Sequence, residues 1–284
     1  MHDFSQRREL TLHAEVAAAV TTALGSIEVP GIVIGAFARD LHLHYGAGVP
    51  IQRATQDIDF AFAVRSWDQF HALQQRLLES GAFGSIEGRQ HRLRHRNKLT
   101  VDLVPFGGIE TDERRIAWPP RGDVVMDVFG FQESIASAET ALLPANVEIS
   151  MVALPALALL KLVAWEDRHR RAPGKDAADL SLIMRNYLAV SANAQRLWSE
   201  FVGWTESADF DYERGGARML GHDMRRLVDG KGLKKVGDIV RTQVESGELP
   251  QEMDRRSPER AREMLEEIAK GLEMEVGAKG VQQV

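Results

Sequence analysis

Cysteine is absent from the chain. That removes disulfides, thiolate nucleophiles and thiolate zinc sites together, and it fits the reducing cytoplasm. A long apolar run is missing too. The longest candidate, MVALPALALLKLVAW, is interrupted by Pro155 and Lys161, so it falls short of the roughly 20 apolar residues a membrane span needs. The opening MHDFSQRREL has no apolar signal core. The expectation is a cytoplasmic protein without a membrane partner. Positive charge is not in excess: the net charge is −6, which disfavours a wholly basic nucleic-acid binder but leaves room for a local basic patch. The sequence has no Walker-A lysine loop and no complete G-x-G-x-x-G, and its histidines make no H-x-x-x-H or H-E-x-x-H pair on a convincing helix. His42, His44, His91 and His95 read as surface or packing residues. Internal repeats and low-complexity linkers are lacking as well.

What is present is enough for a real core. The 284 residues are 44% apolar and 27% charged, which suits about two domains. Residues 5–24 have helical spacing, and Ile32–Ile34 is a short apolar run ending at Gly35. AFARDLHLHYG then reads as helical, and the alternation in IDFAFAV, residues 58–64, reads as a strand. Ser66 with Gln69 forms a capping-box pattern that opens a helix to about Glu79, closed by Gly81. Residues 88–106 suggest two strands around a turn near Arg96-Asn97, with further strands near Val124–Phe131 and Val147–Val152. From Pro155 onward the pattern is helical, with a second helix over 176–188 and a last one from about Ser257-Pro258. Gly215, Gly216 and Gly221 read as turn glycines, and Asp209 and Asp211 as a solvated turn or caps. The picture is an α/β N-terminal half followed by a helical C-terminal half.

One strand breaks the usual rule. Asp57 and Asp59 sit in QRATQDIDFAFAV, although aspartate is depleted in strands and burying a carboxylate is costly. On a strand, residues i and i+2 face the same side, with alpha carbons about 6.6 Å apart. Two carboxylates so placed can bind divalent cations, the arrangement that serves in-line attack on a phosphate. Two acids at this spacing also arise by chance, as in Asp209-Phe-Asp211, but those lie outside any strand pattern. Asp102 in LTVDLVPF is a further strand carboxylate that can act as ligand or general base, or else be an edge-strand surface charge. Gly35, at a strand-to-helix turn, can let backbone N–H groups approach a phosphate, or can be an ordinary tight turn.

Taken together, Gly35, the segment Arg53-Ala-Thr55-Gln-Asp57-Ile-Asp59-Phe60 and Asp102 resemble the nucleotidyltransferase superfamily. R-x-T-x-D-I-D-F is similar to the R-x-S-x-D-I-D-F stretch of the AbiEii/AbiGii toxin-type nucleotidyltransferases. The downstream K-x-x-A-x-x-x-R helix of that family is matched by Lys161, Ala164 and Arg168, and its K/R-D-x-x-D-L segment by Lys175, Asp176, Asp179 and Leu180. The resemblance covers about residues 30–188. It implies an α+β fold: a nucleotidyltransferase-like mixed sheet with flanking helices forms a catalytic domain over 1–152, and a helical domain over 153–284 closes the cleft. It also implies that Asp57, Asp59 and Asp102 hold Mg²⁺ or Mn²⁺, with Asp102 completing the metal site or accepting the hydroxyl proton. Gly35 and Ala36, with Arg39, Thr55, Lys161 and Arg168, would contact the nucleotide, and Lys175, Asp176 and Asp179 would support the site. The substrate is an NTP, the acceptor tRNA or protein, and an antitoxin protein the partner. Alternatives are a small-molecule acceptor of the antibiotic type, or a nucleotide-binding regulator that has lost catalysis.

Four features depart from or add to that pattern. Ala36 stands where the superfamily has Gly or Ser, which favours the lapsed-enzyme alternative. GAFARD, which contains Arg39, also resembles the G-G-x-x-R-D segment of CCA-adding enzymes and poly(A) polymerases, whose later template-reading motifs are not found. The densest basic stretch is RQHRLRHRNK, residues 89–98. Its alternating Arg92, Arg94 and Arg96 can bind nucleic-acid phosphates, or they can form a charged edge strand that resists aggregation. Lys161, Trp165 and Arg168 share one helical face, which can be a cationic wall for a triphosphate or one side of a salt-bridged helix pair with Asp176 or Asp179.

Overall fold

The structure, a computed structural model, describes residues 1–25, 27–50, 55, 57–206 and 209–273. The chain divides into two compact units, Met1–Val163 and Ala164–Val284. The boundary falls inside a helix that the sequence pattern assigned wholly to the second half.

The first unit carries the strands β1 (His2–Asp3), β2 (Gly31–Ile34), β3 (Asp57–Val64), β4 (Phe83–Ile86), β5 (Arg89–His95), β6 (Thr100–Gly107), β7 (Arg115–Ala117), β8 (Val125–Asp127), β9 (Glu139–Leu143) and β10 (Val147–Met151). Eight of them form one mixed sheet in the order β1-β9-β10-β2-β3-β6-β5-β4, and β7 and β8 pair separately. Strand β3 runs antiparallel to β2 and parallel to β6. Its Ile58, Phe60, Phe62 and Val64 are buried, as alternation requires, and Leu103 of β6 is buried as well. The helices of this unit are α1 (Thr11–Leu24), α2 (Gly35–Asp40), α3 (Trp67–Glu79) and α4 (Phe131–Ala136). Helix α5 (Leu154–Arg168) runs across the unit boundary. Ser66 caps α3 by accepting from the Gln69 N–H at 3.2 Å. The Gln69 side chain reaches back one residue further than a capping box requires, to the Arg65 N–H at 2.7 Å. A π-helical stretch, Leu41–Gly46, follows α2 directly.

Three sequence expectations change here. The first helix starts at Thr11, preceded by a 3₁₀ turn over Arg8–Leu10. The strand expected over Val124–Phe131 stops at Asp127, whose side chain accepts from the Phe129 N–H at 2.9 Å. Gly130 then adopts φ 97° and Phe131 opens α4, so the apolar run is split by local turn chemistry. The third change concerns the turn glycines of the second unit.

That unit holds α6 (Lys175–Asn186), α7 (Ser191–Glu200), α8 (Val202–Thr205), α9 (Tyr212–Arg225), α10 (Gly230–Ser246), α11 (Glu248–Met253) and α12 (Pro258–Glu273). Asp211 is the N-cap of α9 and accepts from the Arg214 N–H at 2.9 Å. Gly215, Gly216 and Gly221 lie inside α9, not in turns. A Cβ on Gly221 would stand 2.3 Å from the Ile268 carbonyl oxygen of α12, and one on Gly271 would stand 2.1 Å from the Arg218 carbonyl oxygen of α9. The two helices therefore touch backbone to backbone, which only glycine permits. Overpacking of this kind costs about 1–3 kcal/mol and outweighs the ~1 kcal/mol gained in helix propensity. Gly221→Ala is expected to lower stability by about 1–2 kcal/mol, read as a lower urea midpoint at unchanged m-value. Among the described residues no helix is long and apolar enough to cross a membrane.

Candidate active site

Strand register assembles the acid cluster. Asp59 of β3 is the direct partner of Asp102 of β6, and Arg92 of β5 is the partner of the same Asp102. Residues opposite one another on paired strands share a face, and alternation puts Asp57 on that face too. One oxygen from each of Asp57, Asp59 and Asp102 lies within 4.8 Å of the other two. Such an all-oxygen, all-anionic set is the donor chemistry that Mg²⁺ or Mn²⁺ takes. Asp102 is not an edge charge: β6 lies between β3 and β5, and its carboxylate is 13% exposed.

Arg92 neutralises part of this cluster. Its Nε donates to Asp102 Oδ1 at 2.6 Å, and its second terminal nitrogen donates to Asp102 Oδ2. The same nitrogen stands 3.8 Å from Asp57 Oδ2. The Asp102 hydrogen bonds chiefly, with Asp57 and Asp59 adding, hold the guanidinium protonated more firmly than usual against the opposing effect of its burial. Sequence reading placed Arg92 in a basic stripe, but its pairing with Asp102 depends on the β5–β6 register, which no local motif records. Strand β5 is not an edge either, because β4 covers it. Arg94 is exposed and, two residues along β5, shares the face of Arg92; Arg96 lies in the following turn and is exposed.

Gly35 closes the other side. It follows Ile34, the β2 partner of Asp59, and opens α2 with φ +72°. A Cβ at Gly35 would lie 1.9 Å from Asp59 Oδ2. Glycine here meets both a left-handed backbone and a carboxylate packed against it. Ala36 is the next residue of α2. Arg39 and Thr55 meet on Asp40: Arg39 Nε donates to Asp40 Oδ1 at 2.8 Å, and Thr55 Oγ donates to Asp40 Oδ2 at 3.1 Å. Asp40 is buried and joins two residues expected to meet nucleotide. Its signal in the sequence was the Arg-Asp of GAFARD. Arg53 and Gln56 of the quoted motif lie outside the described residues.

The remaining site residues lie elsewhere on the chain. Lys161 is buried, in the part of α5 that belongs to the first unit. Within the second unit, Arg168 makes a two-pronged pair with Asp176, Nε to Oδ2 at 2.7 Å and a terminal nitrogen to Oδ1 at 2.9 Å. Lys175 is exposed at the start of α6, and Asp179, one turn on, is buried. Trp165, on the same face of α5 as Arg168, is buried; its Nε1 donates to Glu252 at 2.9 Å and its ring stacks on His169.

No curated protein matches the chain significantly. Among solved structures it is similar to the antibiotic-resistance factor ANT(2'')-Ia in solution, at 14% identity and a TM-score of 0.37, with 69% of this chain and 99% of that one covered. It is also similar to ANT(2'')-Ia in complex with adenylyl-2''-tobramycin, at 14% identity and a TM-score of 0.38, covering 68% and 98%. The family model for the nucleotidyl transferase AbiEii toxin of type IV toxin–antitoxin systems matches residues 32–278. That span takes in Gly35, the acid cluster and Arg92, and the chain thus belongs to the AbiEii nucleotidyltransferase family.

Proposed function

We propose that this nucleotidyltransferase moves a nucleoside monophosphate from an NTP to an acceptor hydroxyl on tRNA or protein, with Mg²⁺ or Mn²⁺ as cofactor and an antitoxin protein as its regulatory partner. The observation that carries the reading is the convergence of Asp57, Asp59 and Asp102 within 4.8 Å. Asp57 and Asp59 hold the cation, and Asp102 completes the set or takes the acceptor proton. When bound, the cation neutralises triphosphate charge and eases the ionisation of a hydroxyl. In the transfer, the acceptor oxygen forms a bond to the α-phosphorus, the bond from that phosphorus to the bridging oxygen breaks, and pyrophosphate leaves with the electron pair. The two Arg92 hydrogen bonds fix the orientation of the Asp102 carboxylate for either role.

Gly35 and Ala36 at the start of α2 are assigned the nucleotide phosphates, and Arg39 and Thr55, fixed through Asp40, the shape of that wall. Lys161 is assigned the triphosphate. Arg168, tied to Asp176, keeps the nucleotide contact that family resemblance implies, and Lys175, Asp176 and Asp179 take the implied supporting role. Arg94, exposed on the face that carries the acid cluster, suits the phosphates of an RNA acceptor.

The test is label transfer. Protein, Mg²⁺ and each of four α-³²P-labelled NTPs are incubated with total tRNA or with cell lysate. Label on RNA or on a protein band is the expected result; label on neither overturns the assigned acceptors. A second measurement addresses Arg92. The Arg92–Asp102 pair is part-buried and must give way in part to a cation, so Arg92→Gln is expected to tighten Mn²⁺ binding about fivefold, roughly the 1 kcal/mol of an ion pair. Calorimetry without nucleotide reads this directly, and an unchanged affinity would mean that Arg92 does not compete for the carboxylates.

A further inference from the structure

Away from the acid cluster, three side chains from distant segments of the first unit meet at one flank of the sheet. They are His2 of β1, His42 of the π-helical stretch and Glu139 of β9, and one ligand atom from each lies within 4.8 Å of the other two. Strand β1 is placed there by pairing with β9, His2 opposite Ala141. The His2 and His42 rings meet edge-on with centroids 5.2 Å apart.

We propose that His2, His42 and Glu139 form a binding site for a divalent transition-metal ion of the zinc class, separate from the carboxylate cluster. The donor set comes first in the argument. Two imidazoles and one carboxylate suit zinc and its neighbours, whereas magnesium prefers oxygen alone. The orientation of His42 is the second point. One of its ring nitrogens, Nε2, lies 2.8 Å from the Val152 carbonyl oxygen. A carbonyl only accepts, so Nε2 carries the proton and Nδ1 presents its lone pair. An imidazole fixed in this way, one nitrogen donating to a backbone carbonyl and the other free to ligate, is how proteins orient metal-binding histidines.

The local backbone is the third point. His42 lies in a π-helical stretch, a helix form that is rare and concentrated at functional sites, and the residue is buried. His2 and Glu139 are 31% and 40% exposed, which leaves an entry path and room for water as a fourth ligand. His2 Nε2 and Glu139 Oε2 now stand 2.5 Å apart in a hydrogen bond. Two ligands on a tetrahedral zinc lie about 3.3 Å apart at bond lengths near 2.0–2.1 Å, so loading needs them to separate by roughly 1 Å. The ion would then fasten β1 to β9 and to the segment that continues α2.

The experiment uses the full chain without a histidine tag, stripped of metal. Co²⁺ is titrated while visible absorption is recorded, and Zn²⁺ is titrated by calorimetry. One equivalent is expected to bind with a nitrogen-ligand cobalt spectrum, any further equivalent belonging to the carboxylate cluster. Asp57→Asn with Asp59→Asn should keep that spectrum, which separates this site from the carboxylate cluster. His42→Ala should weaken binding by about a hundredfold or more, beyond the 10–100-fold that loss of a supporting group alone produces. His2→Ala, at a part-exposed position outside the core, tests the same point without disturbing folding, and Zn²⁺ should raise the melting temperature of the unsubstituted protein but not of this variant. No cobalt spectrum, or a spectrum that survives His2→Ala, would overturn the site and leave the His2–Glu139 contact as a simple strand tether.

Discussion

Replacing both Asp57 and Asp59 by alanine is expected to lower nucleotidyl transfer by about a thousandfold or more while leaving the protein folded. The magnitude follows from the several kcal/mol that a catalytic cation contributes to an anionic transition state, at about 1.4 kcal/mol per factor of ten. The fold should survive because β3 is held by backbone pairing to β2 and β6 and by Ile58, Phe60, Phe62 and Val64 on its other face. Removing two like charges from a strand also relieves repulsion, and Arg92 keeps its two hydrogen bonds to Asp102. Label transfer and a thermal melt, run side by side, give both answers. Transfer that persisted in a folded double variant would remove the metal site from the mechanism.

Gly35→Ala should be nearly as damaging, by a different route. Its φ of +72° costs a non-glycine residue about 1–2 kcal/mol. The added Cβ would overlap Asp59 Oδ2, 1.9 Å away, so the carboxylate must swing aside. Displacing a metal-binding group by an ångström can cost about a hundredfold in rate. The expected outcome is a stability loss of about 1–2 kcal/mol, Mn²⁺ binding weakened at least about tenfold, and transfer lowered about a hundredfold. Mn²⁺ affinity with transfer rate distinguishes this from a phosphate-cradle effect: if only the KM for NTP rose and metal affinity stayed, Gly35 would be serving the nucleotide rather than Asp59.

The candidate site was legible because its carboxylates lie along strands. Alternation alone put Asp57 and Asp59 on one face, and Asp102 showed itself as a carboxylate inside a strand-forming run. The N-cap at Ser66 and the hairpin around Arg96-Asn97 are likewise local signals that tertiary packing left in place. What the sequence hid is non-local. Arg92 looked like one cation in a stripe because its partner is set by strand register. Gly221 looked like a turn because a glycine in a helix is costly unless another backbone presses on it, and Ile268 lies far along the chain. His2, His42 and Glu139 make no motif because three separate segments bring them together.

The parallel pairing of β3 with β6 also sets when the centre can exist. The two strands are joined by a crossover that contains α3, β4 and β5, and a parallel pair cannot close before its crossover is complete. A polypeptide growing from its N-terminus therefore displays Asp57 and Asp59 well before Asp102 can join them. Up to that point it carries two repelling carboxylates on a strand that only β2 can pair, and no assembled centre. The carboxylate centre can therefore assemble only once the chain has grown past Gly107 and β6 has paired with β3.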